Sequence, residues 1–453
     1  MEVLDLARWQ FGITTVYHFF FVPLTIGLSV LVATMQTVWW RTGDERWLRL
    51  TKFFGKLFLI NFAMGIATGI VQEFQFGMNW SDYSRFVGDI FGAPLAIEGL
   101  LAFFLESTFL GLWIFGWDRL KPGLHLMTIW IAAIGTALSA YFILAANSFM
   151  QNPVGYTYDA ERGRAELTDF VAVLTNKVVL VTFPHTMFGC FMVGGGLMAG
   201  ISMWHLLRLK NRTGDDVEVE QSAFRTALRL GAVTVMLAGL GTIVTGDMQA
   251  KVMTEVQPMK MAAAEALYET TAPAPFSPFT LGTPDGSEPT FQVEVPHLLS
   301  FMATGDWNGR VEGINDLQRE YEETYGPGSY KPNIPITYWT FRWMIGAGAA
   351  AMGLSLLMLW STRRSRAPGA TPRGARWLGL GAIALPLLPL AANVFGWVFT
   401  EMGRQPWVVF GLLPTSAGVS PGTTVAEVAT SLIGFTLVYG VLAVVEVKLL
   451  LTY

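Results

Sequence analysis

The chain has 453 residues, of which 52% are apolar and 14% charged, with 16 Trp and 32 Phe. Soluble domains carry roughly 25% charge, so this composition excludes an ordinary water-soluble protein and points to one integral to a membrane. The net charge of −4 is small and, with no basic block standing out from the loops, gives no sign of a nucleic-acid or acidic partner, and none is expected; the single cysteine, Cys190, excludes a disulfide framework and a thiolate metal cluster, leaving it a helix-packing role.

The N-terminal MEVLDLARWQ has no basic region of the kind that precedes a cleaved signal, so the first apolar segment is expected to stay in the protein. Apolar stretches of about 20 residues or more, the length a hydrocarbon core of roughly 30 Å requires, follow at 12–40, 54–76, 93–117, 124–148, 179–207, 226–247, 336–361, 377–400 and 427–451. They predict an all-α integral membrane protein of nine spans. Basic residues gather after the first span (Arg41, Arg46, Arg49, Lys52, Lys56), the fifth (Arg208, Lys210, Arg212) and the seventh (Arg363, Arg364, Arg366, Arg373, Arg376). The alternate loops are poor in them, with Arg85 alone after the second span and Arg404 alone after the eighth. The positive-inside rule then places the N-terminus outside and the C-terminus in the cytoplasm. One external loop is long, 248–335, too polar to cross and holding the short helical pattern MKMAAAEALYET; loops of that length are usually functional or disordered. The chain divides into six spans over 1–247, this loop over 248–335, and three spans over 336–453, with no evident internal repeat.

With this orientation His18, Glu98, Glu106, His185 and Met344 fall in the outer halves of their spans, and Glu73 and Glu401 near the same face. Singly, each has a plain reading. A membrane histidine is often a hydrogen-bonded packing residue, as expected for His125 and His205 near cytoplasmic ends, a methionine fills the core, and Glu73 reaches the headgroups. Together they match haem chemistry, because axial ligation uses imidazole or thioether from helices that cross the ring. Glu98 and Glu106 are eight residues apart, about 12 Å along a helix at 1.5 Å per residue. That spacing suits a proton relay, or two carboxylates satisfied by neighbouring helices. Glu401 ends the eighth span beside Arg404 and Gln405, and an ionisable group at that depth needs a partner, a cavity or a cofactor.

The stretches YHFFFVPLTIG (17–27), KLFLINFAMGIATGIVQEFQFGMNW (56–80), GDIFGAPLAIEGLLAFFLESTF (88–109), NSFMQNP (147–153), FRWM (341–344) and GRQPW (403–407) resemble subunit I of cytochrome bd-type quinol oxidases, over nearly the whole chain. The resemblance implies a quinol:oxygen oxidoreductase of the bacterial cytoplasmic membrane whose cofactors in this subunit are two haem b, one low-spin and one high-spin, and one haem d. By match to the family's motifs, His185 and Met344 would ligate the low-spin haem iron, with Arg342 near its propionates. His18 and Glu401 would each ligate one high-spin haem iron, with Arg404 and Gln405 stabilising the charged site and Trp397 between haems; which position takes haem d stays open. Glu98, Glu106, Ser107 and Asn147 would deliver protons. Lys260 and Glu265 would meet the quinol, ubiquinol or menaquinol, in a loop of the short type that lacks an insertion some members carry; an exposed charged face on a short helix is the alternative reading of that pair.

The resemblance further implies a homologous second membrane subunit and O2 as oxidant, with small single-helix accessory subunits left open. Quinol would be oxidised at the external face and protons taken from the cytoplasm, building a membrane potential without pumping. Two alternatives remain at this level: a relative that lacks haem d, and an ion-coupled transporter whose Glu and His residues bind protons.

Overall fold

The computed structural model describes residues 2–283, 286–363 and 372–452, without the side chains of Pro372, Arg373 and Leu451. Arg364, Arg366 and the Arg373 side chain of the expected basic loop lie outside the described residues. In chain order the elements are α1 (Val3–His18), α2 (Val22–Thr42), α3 (Glu45–Met78), α4 (Ser81–Ile97), α5 (Phe104–Phe115), α6 (Pro122–Gln151), β1 (Tyr156–Asp159), β2 (Arg164–Leu167), α7 (Phe170–Leu174), α8 (Lys177–Leu209) and α9 (Asp215–Val256). Then come α10 (Pro258–Glu265), β3 (Phe276–Gly282), β4 (Pro289–Val295), α11 (Leu298–Thr304), α12 (Ile314–Tyr325), α13 (Ile334–Ser361), α14 (Pro372–Met402), β5 (Trp407–Val409), β6 (Leu413–Pro414) and α15 (Val425–Thr452). Among the described residues nine helical segments are long and apolar enough to cross a membrane, as the hydropathy predicts.

The first of these segments is two helices. Pro23, at the start of α2, has no N–H to offer the Phe19 carbonyl, and Phe20 and Phe21 donate instead to Tyr17 and His18 in tightened turns. The break leaves His18 as the last residue of α1. A second irregularity lies between α4 and α5, where Glu98–Phe103 form a π turn shortly after Pro94. On a regular helix at about 100° per residue, Glu98 and Glu106 would point about 80° apart. A π turn acts as one inserted residue, so eight steps count as about seven and the two carboxylates come within about 20° of one line.

Packing divides the bundle along the membrane normal. In the half remote from the long loop, one apolar core joins α2, α3, α5 and α6 around Leu28, Phe54, Phe58, Trp113 and Ile129. A second joins α8, α9, α13 and α14 around Met203, Leu228, Val235, Met358 and Leu385. The two meet where α2 crosses α8 at Gly27 and Gly194: a Cβ on Gly27 would sit 2.2 Å from the Cys190 carbonyl oxygen, so only glycine permits this approach. Cys190 itself is fully buried in that crossing. The half next to the long loop is hollow.

The long loop is folded. Met259, Ala262 and Ala263 of α10 pack on Ile314, Leu317 and Tyr321 of α12 and on Tyr338 of α13. The helical pattern MKMAAAEALYET stops earlier than its composition suggests, because Ala266 turns left-handed at φ 49° and the Leu267 N–H closes back on the Ala262 carbonyl.

Candidate functional site

A cavity of about 2310 Å³ fills the hollow half, more than twice the roughly 1,000 Å³ that bounds ordinary small-molecule pockets. His18, Glu98, Glu106, Asn147, His185, Met344, Trp397, Glu401, Arg404 and Gln405 all face it, as does Glu73. Ser107, Lys260, Glu265 and Arg342 are not part of its wall.

The two cavity histidines are held alike. His18 Nδ1 lies 2.8 Å from Thr68 Oγ1, and that hydroxyl donates its own proton to the Met64 or Gly65 carbonyl at 3.0 and 3.1 Å. The threonine oxygen therefore accepts from Nδ1–H, and the lone pair is left on Nε2. His185 repeats the device: Nδ1 is 3.1 Å from Thr245 Oγ1, which donates to the Gly241 carbonyl at 2.7 Å. Neither Nε2 has a protein hydrogen bond among the described residues. A buried imidazole fixed through one nitrogen and open at the other has the arrangement that metal ligation by histidine requires. His125 is the contrast, with Gln36 Nε2 at 2.8 Å on Nδ1 and the Trp113 carbonyl at 2.8 Å on Nε2. Both its nitrogens are spent on packing, as expected. His205 stacks on Phe224 at 4.2 Å in the remote half.

Each candidate ligand on α1, α8 and α13 leans on a glycine of a neighbouring helix. A Cβ on Gly69 would come 3.2 Å from His18 Cε1, one on Gly246 3.3 Å from His185 Cε1, and one on Gly396 2.9 Å from Met344 Sδ. These glycines leave room for rings and thioether to stand against the helix backbone.

Glu401, at the end of α14, accepts from Arg404 and, at 3.0 Å, from Asn147 Nδ2. Arg404 is 3% exposed and its Nη1 has no partner among the described residues. Thr15 Oγ1, Gln72 Oε1, Trp80 Nε1 and Thr182 Oγ1, on residues of the same wall, are also buried and unpaired among them. Orphaned polar atoms around an apolar space fit a large ligand with polar, anionic edges, since such atoms cost free energy when left unmatched. Among the described residues no group of three or more His, Cys, Asp or Glu is arranged to hold a bare metal ion, so iron here would have to bring its equatorial ligands with it, as haem does. Trp397 packs beside Phe11 and Phe19 at ring distances of 6.4 and 5.6 Å. Gln405 accepts from Arg8 and Thr415 and donates to the Glu401 carbonyl, tying α1 to the end of α14.

The π turn delivers both carboxylates to α6. Ser139 Oγ donates to Glu98 at 2.5 Å and Thr136 Oγ1 to Glu106 at 2.6 Å. Thr136, Ser139 and Asn147 follow one face of α6, so Glu106, Glu98 and Glu401 are held at successive levels along that face, with Asn147 donating to Glu401. Ser107 stands apart, its Oγ buried and without a partner among the described residues.

Lys260 and Glu265, on α10, are 5% and 2% exposed, which removes the exposed charged face as a reading of that pair. Lys260 donates to Gln151 Oε1, and burial, then the Arg404 charge, press its ammonium down to about 7 against the pull of Glu401. Glu265 pairs with Arg342 at 2.6 Å, and Arg342 also donates to the Ser277 carbonyl. Burial raises the Glu265 carboxyl above its ordinary range although Arg342 opposes it. Thus α10 bridges two charged positions, one against the end of α14 and one against α13. Thr68, Thr136, Ser139, Gln151 and Thr245 carry these contacts, and nothing in their sequence context singles them out from other membrane Ser, Thr and Gln residues.

The profile of the family described as cytochrome bd terminal oxidase subunit I matches residues 6–453. The chain is 46% identical over 450 residues to cytochrome bd ubiquinol oxidase subunit 1 of Bacillus subtilis (strain 168), covering 99% of this chain and 93% of that one. It is 37% identical over 510 aligned residues to cytochrome bd-II ubiquinol oxidase subunit 1 of Escherichia coli (strain K12), covering 100% and 96%. Its fold matches the structure of bd oxidase from Geobacillus thermodenitrificans with a TM-score of 0.86 and 27% identity, over 100% of this chain and 98% of that one.

Proposed function

The chain belongs to the cytochrome bd terminal oxidase subunit I family, and we propose that the hollow half of its bundle holds three haems at which electrons from quinol reduce O2 to water. It is a quinol oxidase subunit, a multi-pass membrane protein of a family that uses haem and works with a second oxidase subunit. Membership decides for the oxidase over an ion-coupled transporter.

In this reading His185 and Met344 hold a low-spin haem b iron, and His18 and Glu401 each hold one of two high-spin irons, a haem b and a haem d. The haems supply electron storage and oxygen reduction; the residues around them supply ligands, charge and protons. The observation that carries the reading is the paired histidine device, with Nδ1 protons engaged by Thr68 and Thr245 and Nε2 left toward the cavity. Arg404 offsets the Glu401 carboxylate, and its unpaired Nη1 suits a propionate. Arg342, buried beside Glu265, suits a propionate of the low-spin haem.

In the same reading Glu265, whose carboxyl burial raises above its ordinary range, takes a quinol proton at the face of the long loop, and Lys260 binds a quinol oxygen. Glu106 and Glu98, each accepting from an α6 hydroxyl, pass protons toward Asn147 and Glu401; Ser107 would join them through water. With the N-terminus outside a bacterial cytoplasmic membrane, quinol protons leave externally while consumed protons enter from the cytoplasm, which builds a potential without pumping. Quinol-driven oxygen consumption by the complex of this chain with its second subunit tests the reading. Glu265→Gln should lower turnover by roughly 10²-fold or more, the usual contribution of a proton-transfer residue, with the haem spectrum unchanged. Undiminished turnover, or loss of haem instead, overturns it.

A further inference from the structure

The β3–β4 hairpin of the long loop is inside out. The cross-strand pairs Phe279↔Val293 and Leu281↔Phe291 put four apolar side chains on one face, exposed by 39%, 45%, 47% and 54% respectively, and Val295 adds 41%. The opposite face is polar and covered at its centre, where Ser277 and Thr280 are 3% and 4% exposed and Gln292 donates to the Ala266 carbonyl and to Thr280, while Thr290 and Glu294 on the same face of β4 are exposed. A hairpin lying on a solvated loop alternates the other way, apolar in and polar out.

Its place along α13 accounts for this. Gly286, in the turn, is so near the start of that helix that a Cβ would meet Pro335 Cδ at 2.8 Å. Phe279 packs on the Trp339 ring at 5.4 Å, and the Ser277 carbonyl accepts from Tyr338 and Arg342. The hairpin therefore runs beside the first turns of α13. That helix has 28 residues, about 42 Å at 1.5 Å each, which matches a bilayer with its headgroup layers. Its first turns thus cross the interfacial layer, where Trp side chains gather. Trp339 contacts Trp343 at 6.1 Å, and Trp343, within the span, is 50% exposed, so Phe291, Phe279, Trp339 and Trp343 form one unbroken aromatic surface from hairpin to span.

We propose that the β3–β4 hairpin is seated in the interfacial layer of the leaflet at which α13 begins, with Phe279, Leu281, Phe291 and Val293 against lipid. Continuity with the lipid-facing side of α13 selects lipid as the occupant of this face. The proposal uses only the fold and stands or falls independently of the haem and quinol assignments.

The test is nitroxide labelling of the oxidase complex in lipid nanodiscs. Cys190 is fully buried, so Phe291→Cys and Val293→Cys each give this chain one reactive thiol, with the unsubstituted complex as the labelling control, and Glu323→Cys, on the exposed side of α12, supplies the aqueous reference. Collision rates with oxygen, which concentrates in lipid, and with a water-soluble nickel chelate are measured at each site. Seating in the leaflet gives both hairpin sites an oxygen-to-nickel ratio several-fold above that at Glu323. A ratio equal to the reference means water covers the face, and exclusion of both reagents means protein does; either result overturns the proposal. The two sites are substituted separately, and Val293→Cys, the smaller change, keeps the test available if Phe291→Cys does not fold.

Discussion

Thr68→Val removes one hydroxyl and keeps the shape of the side chain. In the wild type that hydroxyl is the hydrogen-bond partner of His18 Nδ1, at 2.8 Å, and Thr68 is fully buried. Removing it leaves a buried N–H unsatisfied, which costs about 1–3 kcal/mol, or about 5- to 150-fold at 1.4 kcal/mol per decade. That range agrees with the 10- to 100-fold loss in metal affinity usual when a partner of a ligating histidine is removed. His185 Nδ1 has the same kind of partner in Thr245 Oγ1, at 3.1 Å. Thr245→Val should therefore weaken retention of the low-spin haem in the same way. The assay is haem transfer from the purified complex to an apoprotein acceptor, followed by spectra that separate low-spin from high-spin components. Wild-type retention and spectrum of every high-spin haem in Thr68→Val would refute the ligand role of His18.

Glu401→Gln keeps shape and loses the anion, leaving the buried Arg404 without its counter-charge; breaking a buried pair costs about 3–5 kcal/mol, so one high-spin haem should be lost or spectrally altered and oxygen reduction should fall sharply, while low-spin spectra persist. Gly396→Ala places a methyl 2.9 Å from Met344 Sδ, and the displaced thioether should weaken the field at the low-spin haem and lower its potential in a redox titration, as Met344→Leu should more fully. Lys260, held at about 7 by burial first, binds fewer protons folded than unfolded between about pH 7 and its ordinary value near 10.4; stability should rise with pH through that window by up to about 1.4 kcal/mol per unit, a slope that thermal unfolding should find absent in Lys260→Met.

Hydropathy made the nine spans legible because a bilayer imposes one length on every crossing helix. Depth was legible too: His18, His185, Met344 and Glu401 sit at the same end of their spans, and the structure brings them to one cavity. Rotation about the helix axis was not legible. Glu98 and Glu106 share the α6-facing side only because of a π turn, whose extra residue no 3.6-residue periodicity reveals. Separating His18 and His185 from His125 also needed tertiary structure, since Thr68 and Thr245 come from other helices, as does the Gln36 that occupies His125. Lys260 and Glu265 looked like surface charge by composition, and their burial follows from α12 and α13 closing over α10. The polar inner face of the β3–β4 hairpin likewise has meaning only beside α13, because alternation alone does not say which face meets lipid.

The central claim is that the hollow half of the bundle is a haem cavity. A haem count per chain with a reduced-minus-oxidised spectrum, on the complex purified in mild detergent, tests it most directly. Three haems per chain are expected, with a low-spin haem b signal and a band far to the red from a chlorin-type haem d. An intact, folded chain with no haem absorbance would contradict the account.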